Sequence, residues 1–187
     1  MVEGIDEILQ YFDDTLNVLD AAIVIAGEGL AGDMANRVHK DGQATDGGPI
    51  GPNPNTGEVY STKPFWADPR DFAKKGFPQG LLSSTGGSVQ LPEGYKDFRA
   101  FSGRQVSKVD LRYSGNLQTS YRFTRLGNMS YGVDLLGKGT PPSRGISAAQ
   151  KAAHLESLYD KEIFSPMAAE YDSFIDDIEF EWANRST

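Results

Sequence analysis

The apolar residues of the first forty positions recur three or four residues apart. Between residues 4 and 40 they form one stripe, which is the pattern of an amphipathic helix. The stripe consists of Ile5, Ile8, Leu9, Phe12, Leu16, Leu19, Ile23, Leu30, Met34 and Val38. Acidic residues fall mostly off the stripe, and those near its start suit the positive end of a helix dipole. The pattern therefore predicts one long helix at the amino end.

Three glycines interrupt this helical pattern in the spacing G-x-G-x-x-G. Gly27, Gly29 and Gly32 follow a run of aliphatic residues, as they would in a dinucleotide-binding unit. That unit needs a strand before the glycines, whereas these lie inside a helical period, and Glu28 would repel a phosphate. We therefore expect no nucleotide cofactor. We expect the glycines to permit close approach of another backbone, or a bend near residue 27.

Residues 42–94, which we call the arm, contain seven of the ten prolines and ten of the 21 glycines. This density excludes a long helix or a central strand. The arm also keeps aromatic residues that a solvated linker would lack, and we predict an extended loop within a single domain spanning residues 1–187. Its candidate interface residues are Tyr60, Lys63, Phe65, Trp66, Phe72 and Phe77. The aromatic residues either fasten the arm to its own core or bind a partner, and the sequence leaves both interpretations open.

The residues after the arm predict a short helix and then a small antiparallel sheet. Residues 95–101 form the predicted helix, and residues 108–117 alternate apolar and charged side chains as an edge strand does. Residues 121–136 predict a β-hairpin with a tight turn at Gly127-Asn128. The predicted sheet region ends at Gly137, Gly139, Pro141 and Pro142.

Helical periodicity returns at the carboxyl end. Ser147 is placed to cap a helix over residues 148–159, and Ser165 followed by Pro166 predicts the start of another. The apolar stripe of this last helix consists of Met167, Tyr171, Phe174, Ile175, Ile178 and Trp182. The order of elements predicts an α+β fold, in which the long N-terminal helix and the C-terminal helices pack on a small antiparallel sheet.

Composition limits the classes of function. The chain of 187 residues has no cysteine, which excludes disulfides, thiolate metal sites and a cysteine nucleophile. A net charge of −8 argues against a nucleic-acid backbone as the main ligand. No apolar run approaches the roughly 20 residues that cross a bilayer, and the acidic amino end is unlike a secretion signal. We expect a protein that stays in the cytoplasm or joins a particle assembled there.

Residues suited to catalysis are few. His39 and His154 are the only histidines, and both lie in polar, lysine-bearing stretches typical of a surface. The adjacent acids Asp176 and Asp177 would point in different directions on a helix, so they would not converge on one substrate. The sequence contains no P-loop, no G-x-S-x-G elbow and no H-E-x-x-H motif. We expect a protein that is not an enzyme and holds no metal or cofactor.

Several phrases of the sequence resemble a known family. MANRVHKDGQATDGGPIG (34–51), VYSTKPF (59–65) and GYKDFRAFSGRQVSKVDLRYSGNLQTS (94–120) resemble the head-to-tail connector proteins of tailed bacteriophages, the neck or tail-completion group. YGVDLLGKG and KAAHLESLYDKEIFSP follow in the same order, so the resemblance spans about residues 30 to 170. The chain departs from the family pattern by inserting GPNPNTGEV and by a longer carboxyl-terminal helix.

The resemblance implies a virion protein of small α+β fold without a catalytic centre. Such proteins are assembled in the host cytoplasm into a ring between the portal and adaptor complex of the capsid and the tail. The implied partners are other copies of the chain, in rings of roughly six or twelve subunits, the portal or adaptor proteins and the tail proteins. DNA would be a non-specific passenger in the channel, and no membrane is involved. The arm would reach neighbouring subunits.

Two other functions remain open at this stage. The chain could be an adaptor whose arm captures a peptide or carbohydrate, and self-association would distinguish this function from the ring. It could also be a lysis or wall-degrading enzyme of phage origin, which an activity assay would detect.

Overall fold

The computed structural model describes residues 3–72, 77–111, 117–135 and 147–185. Within these residues the chain forms four α-helices: α1 (Glu3–Asn36), α2 (Gly94–Phe101), α3 (Ala148–Tyr159) and α4 (Ala168–Arg185). They accompany two small antiparallel sheets, one of β1 (Phe65–Ala67) with β2 (Val89–Leu91) and one of β3 (Tyr121–Gly127) with β4 (Ser130–Leu135). The fold is α+β, as predicted.

The long amino-terminal helix is confirmed. α1 runs for 34 residues and continues as a π-helical turn, Arg37–Asp41, which ends at Gly42 in a left-handed conformation. Gly27 is buried, and a Cβ at this position would overlap the ring of Phe123 on β3. The predicted close approach therefore occurs at Gly27, but the neighbour is an aromatic side chain and not a backbone. No strand precedes the glycines, because they lie within α1.

Buried apolar residues form three clusters, and the arm contributes to two of them. Ile50 and Tyr60 pack with Val38, Val109 and other residues in one cluster. Ala67, Phe72, Val89 and Leu91 form another. The third cluster joins α1 to β3 and consists of Leu30, Ala31, Met34 and Tyr121. The arm is therefore packed along much of its length, and it forms β1, β2 and two short 3-10 turns, Pro69–Phe72 and Gln79–Leu81.

The predicted hairpin is present, with its turn shifted by one residue. β3 and β4 pair in antiparallel register, with Phe123 opposite Val133. Gly127 still pairs with Ser130, so the turn residues are Asn128 and Met129, and Met129 has a φ of 51°. A bulge between Arg125 and Gly127 accompanies this shift.

The predicted edge strand over residues 108–117 is wrong where the structure describes it. Val109 is buried in an apolar cluster, and Asp110 binds the guanidinium of Arg99 at 2.8 Å. Leu111 has a φ of 48°, which is incompatible with an extended strand. Residues 112–116 and the predicted sheet end at Gly137, Gly139, Pro141 and Pro142 lie outside the described residues.

One of the two predicted helix starts is confirmed. Ser147 and Gln150 form a capping box at α3, in which each side chain accepts the other residue's backbone N–H. The predicted start at Ser165-Pro166 is wrong, because α4 begins at Ala168. The carboxylate of Glu170 accepts the backbone N–H of Met167 at 2.8 Å, which satisfies the first turn in place of a serine side chain.

Candidate assembly surfaces

Three of the six candidate residues on the arm pack into their own domain. Tyr60 and Phe72 are 6% and 1% exposed, and Phe77 is half-buried with its ring 5.8 Å from that of Phe72. The Tyr60 hydroxyl donates to the carbonyl of Lys108 at 2.8 Å, and the guanidinium of Arg99 lies 4.5 Å above its ring. The structure places these three side chains where they fasten the arm to the core.

The other three candidates, Lys63, Phe65 and Trp66, are exposed to solvent. Trp66 lies on β1 and is 55% exposed, and Phe65 is 38% exposed although its ring is 6.1 Å from that of Phe98. The backbone of Lys63 lies against Gly94 at the start of α2, where φ is +60° and a Cβ would be only 2.8 Å from the Lys63 nitrogen. A glycine is therefore required at residue 94, where α2 meets the arm. Among the aromatic residues of the arm that the structure describes, Trp66 is the most exposed.

The first half of α1 carries an apolar surface that is exposed to solvent. Residues 4–14 are exposed on all sides, and the buried face of the helix begins at Ala22. Helix α4 lies antiparallel to α1, with Glu170 beside Arg37 and Asp177 beside Gly29. Because α4 has 18 residues and α1 has 34, α4 covers the second half of α1 only. We call the exposed residues the amino-terminal stripe: Ile5, Ile8, Leu9, Phe12 and Leu16, which are 49–59% exposed.

Charge is divided between the two long helices and the rest of the chain. The first 36 residues contain eight acidic residues and no Lys or Arg: Glu3, Asp6, Glu7, Asp13, Asp14, Asp20, Glu28 and Asp33. α4 adds six acidic residues against Arg185 alone. The other 17 of the 18 basic residues lie between residues 37 and 161. We call residues 37–167, the sequence between the two long helices, the body; it is richer in basic residues than either helix.

A cleft of about 500 Å³ lies between α3, α2 and residues 60–61 of the arm. We call it the α3 cleft; its lining includes Tyr60, Ser61, Tyr95, Arg99, Lys151, His154, Leu155, Leu158 and Tyr159. Burial raises the pKa of the hydroxyls of Tyr60, Tyr95 and Tyr159, so these groups stay neutral at physiological pH. The charge of Arg99 is paired with Asp110, which leaves Lys151 and His154 as the basic residues of the rim among the described residues that line the cleft.

Two buried ion pairs join separate elements within the described residues. Arg37 Nε donates to Glu170 Oε1 at 2.8 Å, and the same guanidinium donates to the carbonyls of Gln43, Ile163 and Ser165. In the second pair Arg99 binds Asp110. The side chain of Arg37, on the π-helical turn after α1, therefore binds the arm at Gln43, the segment before α4 at Ile163 and Ser165, and α4 itself at Glu170, so this residue positions these elements relative to one another.

The two histidines differ in their surroundings. His154 is exposed on α3, as the sequence indicated. The expectation of a surface position for His39 is wrong: it is 2% exposed, its Nδ1 lies 3.0 Å from the carbonyl oxygen of Asp110, and its ring packs edge-on against Tyr121. His39 lies on the π-helical turn that follows α1, and this turn directs its side chain into the core. The polar residues next to His39 in the sequence gave no sign of this turn.

The described residues offer contact surfaces more readily than a chemical centre. Among them, no three His, Cys, Asp or Glu side chains come close enough together to hold a metal ion. In that same part of the chain, no helix combines the length and the apolar character needed to cross a membrane. The chain matches no protein-family model, no curated protein and no solved structure.

Proposed function

We propose that this protein is a structural subunit of a tailed-bacteriophage neck. Copies would form a ring that joins the portal or adaptor complex of the capsid to the tail and surrounds the DNA channel. The observation that carries the proposal is the amino-terminal stripe, whose five large apolar side chains are each about half exposed on a helix that is exposed on all sides over residues 4–14. Contiguous apolar surface of this kind marks a site for another protein.

Two further features favour a ring over a simple dimer. Trp66 provides a second exposed apolar site, on a different element from the stripe. A subunit with two unlike contact surfaces can bind its neighbours head to tail, and such contacts give a ring when the rotation closes. The excess of acidic residues also suits a channel for DNA, since repeated negative charge lets a phosphate backbone pass without binding it.

The placing of this ring in a phage neck rests on the resemblance of the sequence. The phrases that carry it include Val59–Phe65 of the arm and Gly94–Ser120, which begins with α2. In the structure these two phrases meet where Gly94 packs on the backbone of Lys63. The resemblance therefore concerns residues that fold against one another.

One observation favours a second candidate function, a binding protein for a peptide or carbohydrate. Tyr60 and Ser61 of the arm line the α3 cleft, and aromatic clefts with a few polar groups are typical of ligand sites. Such a protein would bind its ligand as a monomer or dimer. Self-assembly separates the two functions.

Electron microscopy of tailed particles that contain this chain tests the proposal. We expect a reconstruction to place the chain in a closed ring at the junction of head and tail. The purified protein should form the same ring at high concentration. A particle in which this chain has no cyclic arrangement would overturn the proposal.

A further inference from the structure

The amino-terminal stripe needs a partner other than a second copy of the same helix. α1 carries eight acidic residues and no basic residue, so two α1 helices side by side would bring like charges together. The surface that covers the stripe must therefore be apolar at its centre and basic at its rim.

The α3 cleft combines these two properties. Its wall on α3 includes Tyr159 and four residues at positions i, i+3, i+4 and i+7: Lys151, His154, Leu155 and Leu158. The first four residues of the stripe have the same spacing, so both surfaces are single faces of helices with matching periods. Leu158 is 40% exposed, which leaves its side chain accessible to another chain.

We propose that the amino-terminal stripe of one subunit docks in the α3 cleft of the next. This inference rests on the proposed ring, because it names the surface of the neighbouring subunit that would receive the stripe. The stripe supplies the apolar anchors with which a helix binds a groove. The side-chain ridges of α1 would pack into the grooves between the ridges of α3. Asp6 and Asp13 lie about a quarter turn from the centre of the stripe, where they can pair with Lys151 and His154. The contact joins two unlike surfaces, so its repetition can close a ring.

Disulfide cross-linking between two full-length variants tests this contact directly, because the natural chain has no cysteine. Phe12→Cys protein is mixed with Leu158→Cys protein at the highest soluble concentration and then oxidised. We expect a disulfide-linked dimer that contains one copy of each variant. Asp14→Cys is the matched control, since residue 14 is exposed on the same helix and lies about half a turn from the centre of the stripe. It should give little product with Leu158→Cys.

Charge provides the second arm of the test. Adding Lys151→Glu to the Leu158→Cys protein should reduce the cross-linked product about tenfold, because like charges then face each other at the rim. Adding Leu9→Asp to the Phe12→Cys protein should have a similar effect, whereas Gln10→Asp adds the same carboxylate at an exposed position on the far side of the helix from the stripe and should change little. Circular dichroism of each variant verifies that the fold is kept.

The outcomes separate this inference from the proposed function. Rings without the Phe12–Leu158 cross-link would overturn the docking contact and leave the ring proposal standing. The cross-link in a protein that forms open chains, with no ring in the assembled particle, would support the contact and refute the ring. A dimer of Phe12→Cys protein alone would mean that α1 pairs with α1, which would overturn the inference. Absence of both ring and cross-link would overturn both.

Discussion

At Gly27 the absence of one methyl group sets the distance between α1 and β3. The ring of Phe123 fills the space a Cβ would occupy, and that ring also packs against Tyr131 and Phe174, each with its centroid 5.7 Å away. We predict that Gly27→Ala destabilises the protein by about 1–3 kcal/mol, because the ring cannot move without disturbing both neighbours.

The matched control is Gly32→Ala on the same helix. A Cβ at Gly32 has no atom within 4 Å, so alanine should stabilise the helix by about 0.5–1 kcal/mol. Urea unfolding of both variants measures the difference. Equal effects of the two substitutions would contradict the packing described at Gly27.

The buried pair of Arg37 and Glu170 leads to a second prediction. Glu170→Gln should destabilise the protein by about 3–5 kcal/mol, because the Arg37 side chain, 5% exposed, would keep its charge without a counter-ion. Glu181→Gln is the control: Glu181 pairs with Arg185 at the surface, and its loss should cost no more than about 0.5 kcal/mol. Chemical unfolding at neutral pH checks both values, and a small effect at residue 170 would argue against the pair.

Asp33 gives a prediction about pH. Burial, followed by the negative charges of Glu170 and Asp177, raises the pKa of Asp33 above its usual 3.8. A group whose pKa is raised by folding stabilises the fold when protonated, and this contribution is lost as the pH rises through the raised value. At pH 7 Asp33→Asn should therefore be more stable than the natural protein, by about 0.5 kcal/mol or less because the side chain is largely solvated.

The pH dependence of this difference is the measurement that decides. As the pH falls towards and below 3.8, the natural Asp33 becomes protonated in both states and the advantage of Asn should disappear. A difference that stays constant from pH 7 to pH 3 would show that charge is not its cause.

At the scale of elements, local sequence signals predicted the helices and the hairpin well. The period of apolar residues located α1, and the capping pair Ser147 and Gln150 located the start of α3. Both signals are local. The apolar period repeats every three or four residues, and the capping hydrogen bonds join Ser147 to Gln150, three positions away. The same pattern could not tell that the first half of the α1 stripe is exposed, since periodicity identifies an apolar face but not what covers it.

The elements that were predicted wrongly depend on contacts between distant residues. The alternation of residues 108–117 suggested a strand, but Asp110 is held by Arg99 and by the backbone carbonyl contact with His39, 71 positions away. The start of α4 depends on Glu170, which binds Arg37 across 133 positions. Among the candidate interface residues, the sequence could not separate buried Phe72 from exposed Trp66. Phe72 is buried because the 3-10 turn after β1 places its ring against Phe98 and Phe101, about 30 positions along the chain, and no local pattern records these contacts.

At the scale of the whole molecule, the division of charge bears on assembly. The chain has a net charge of −8, yet the acidic residues are concentrated in α1 and α4 and the basic ones elsewhere. Copies in which an acidic helix of one meets the basic body of the next attract each other locally, although their net charges repel. Assembly of this kind should weaken as salt screens the contact, since the Debye length falls from about 10 Å at 0.1 M to about 3 Å at 1 M.

Trp66 carries the last prediction, because it is the most exposed aromatic residue of the proline-stiffened arm in the part of the chain that the structure describes. Stiffening lowers the ordering cost of binding, and a Trp at a well-packed interface commonly contributes about 2–4 kcal/mol. The side chain is 55% exposed in the single chain, so Trp66→Ala should leave the melting temperature of the isolated subunit almost unchanged. If the arm binds a neighbour in the neck, the variant should block attachment of tails, and filled heads and free tails should accumulate.

Phe72→Ala is the control that separates an effect on folding from an effect on assembly. Phe72 lies on the same arm but is 1% exposed and contacts the rings of Phe77, Phe98 and Phe101. Its truncation should cost about 3–5 kcal/mol of folding free energy and lower the melting temperature and the soluble yield. A loss of tailed particles with Phe72→Ala alone would therefore reflect folding, whereas a loss with Trp66→Ala at normal stability would reflect assembly. A Trp66→Ala variant that keeps both its stability and a normal yield of infectious tailed particles would refute a role for this side chain in either process.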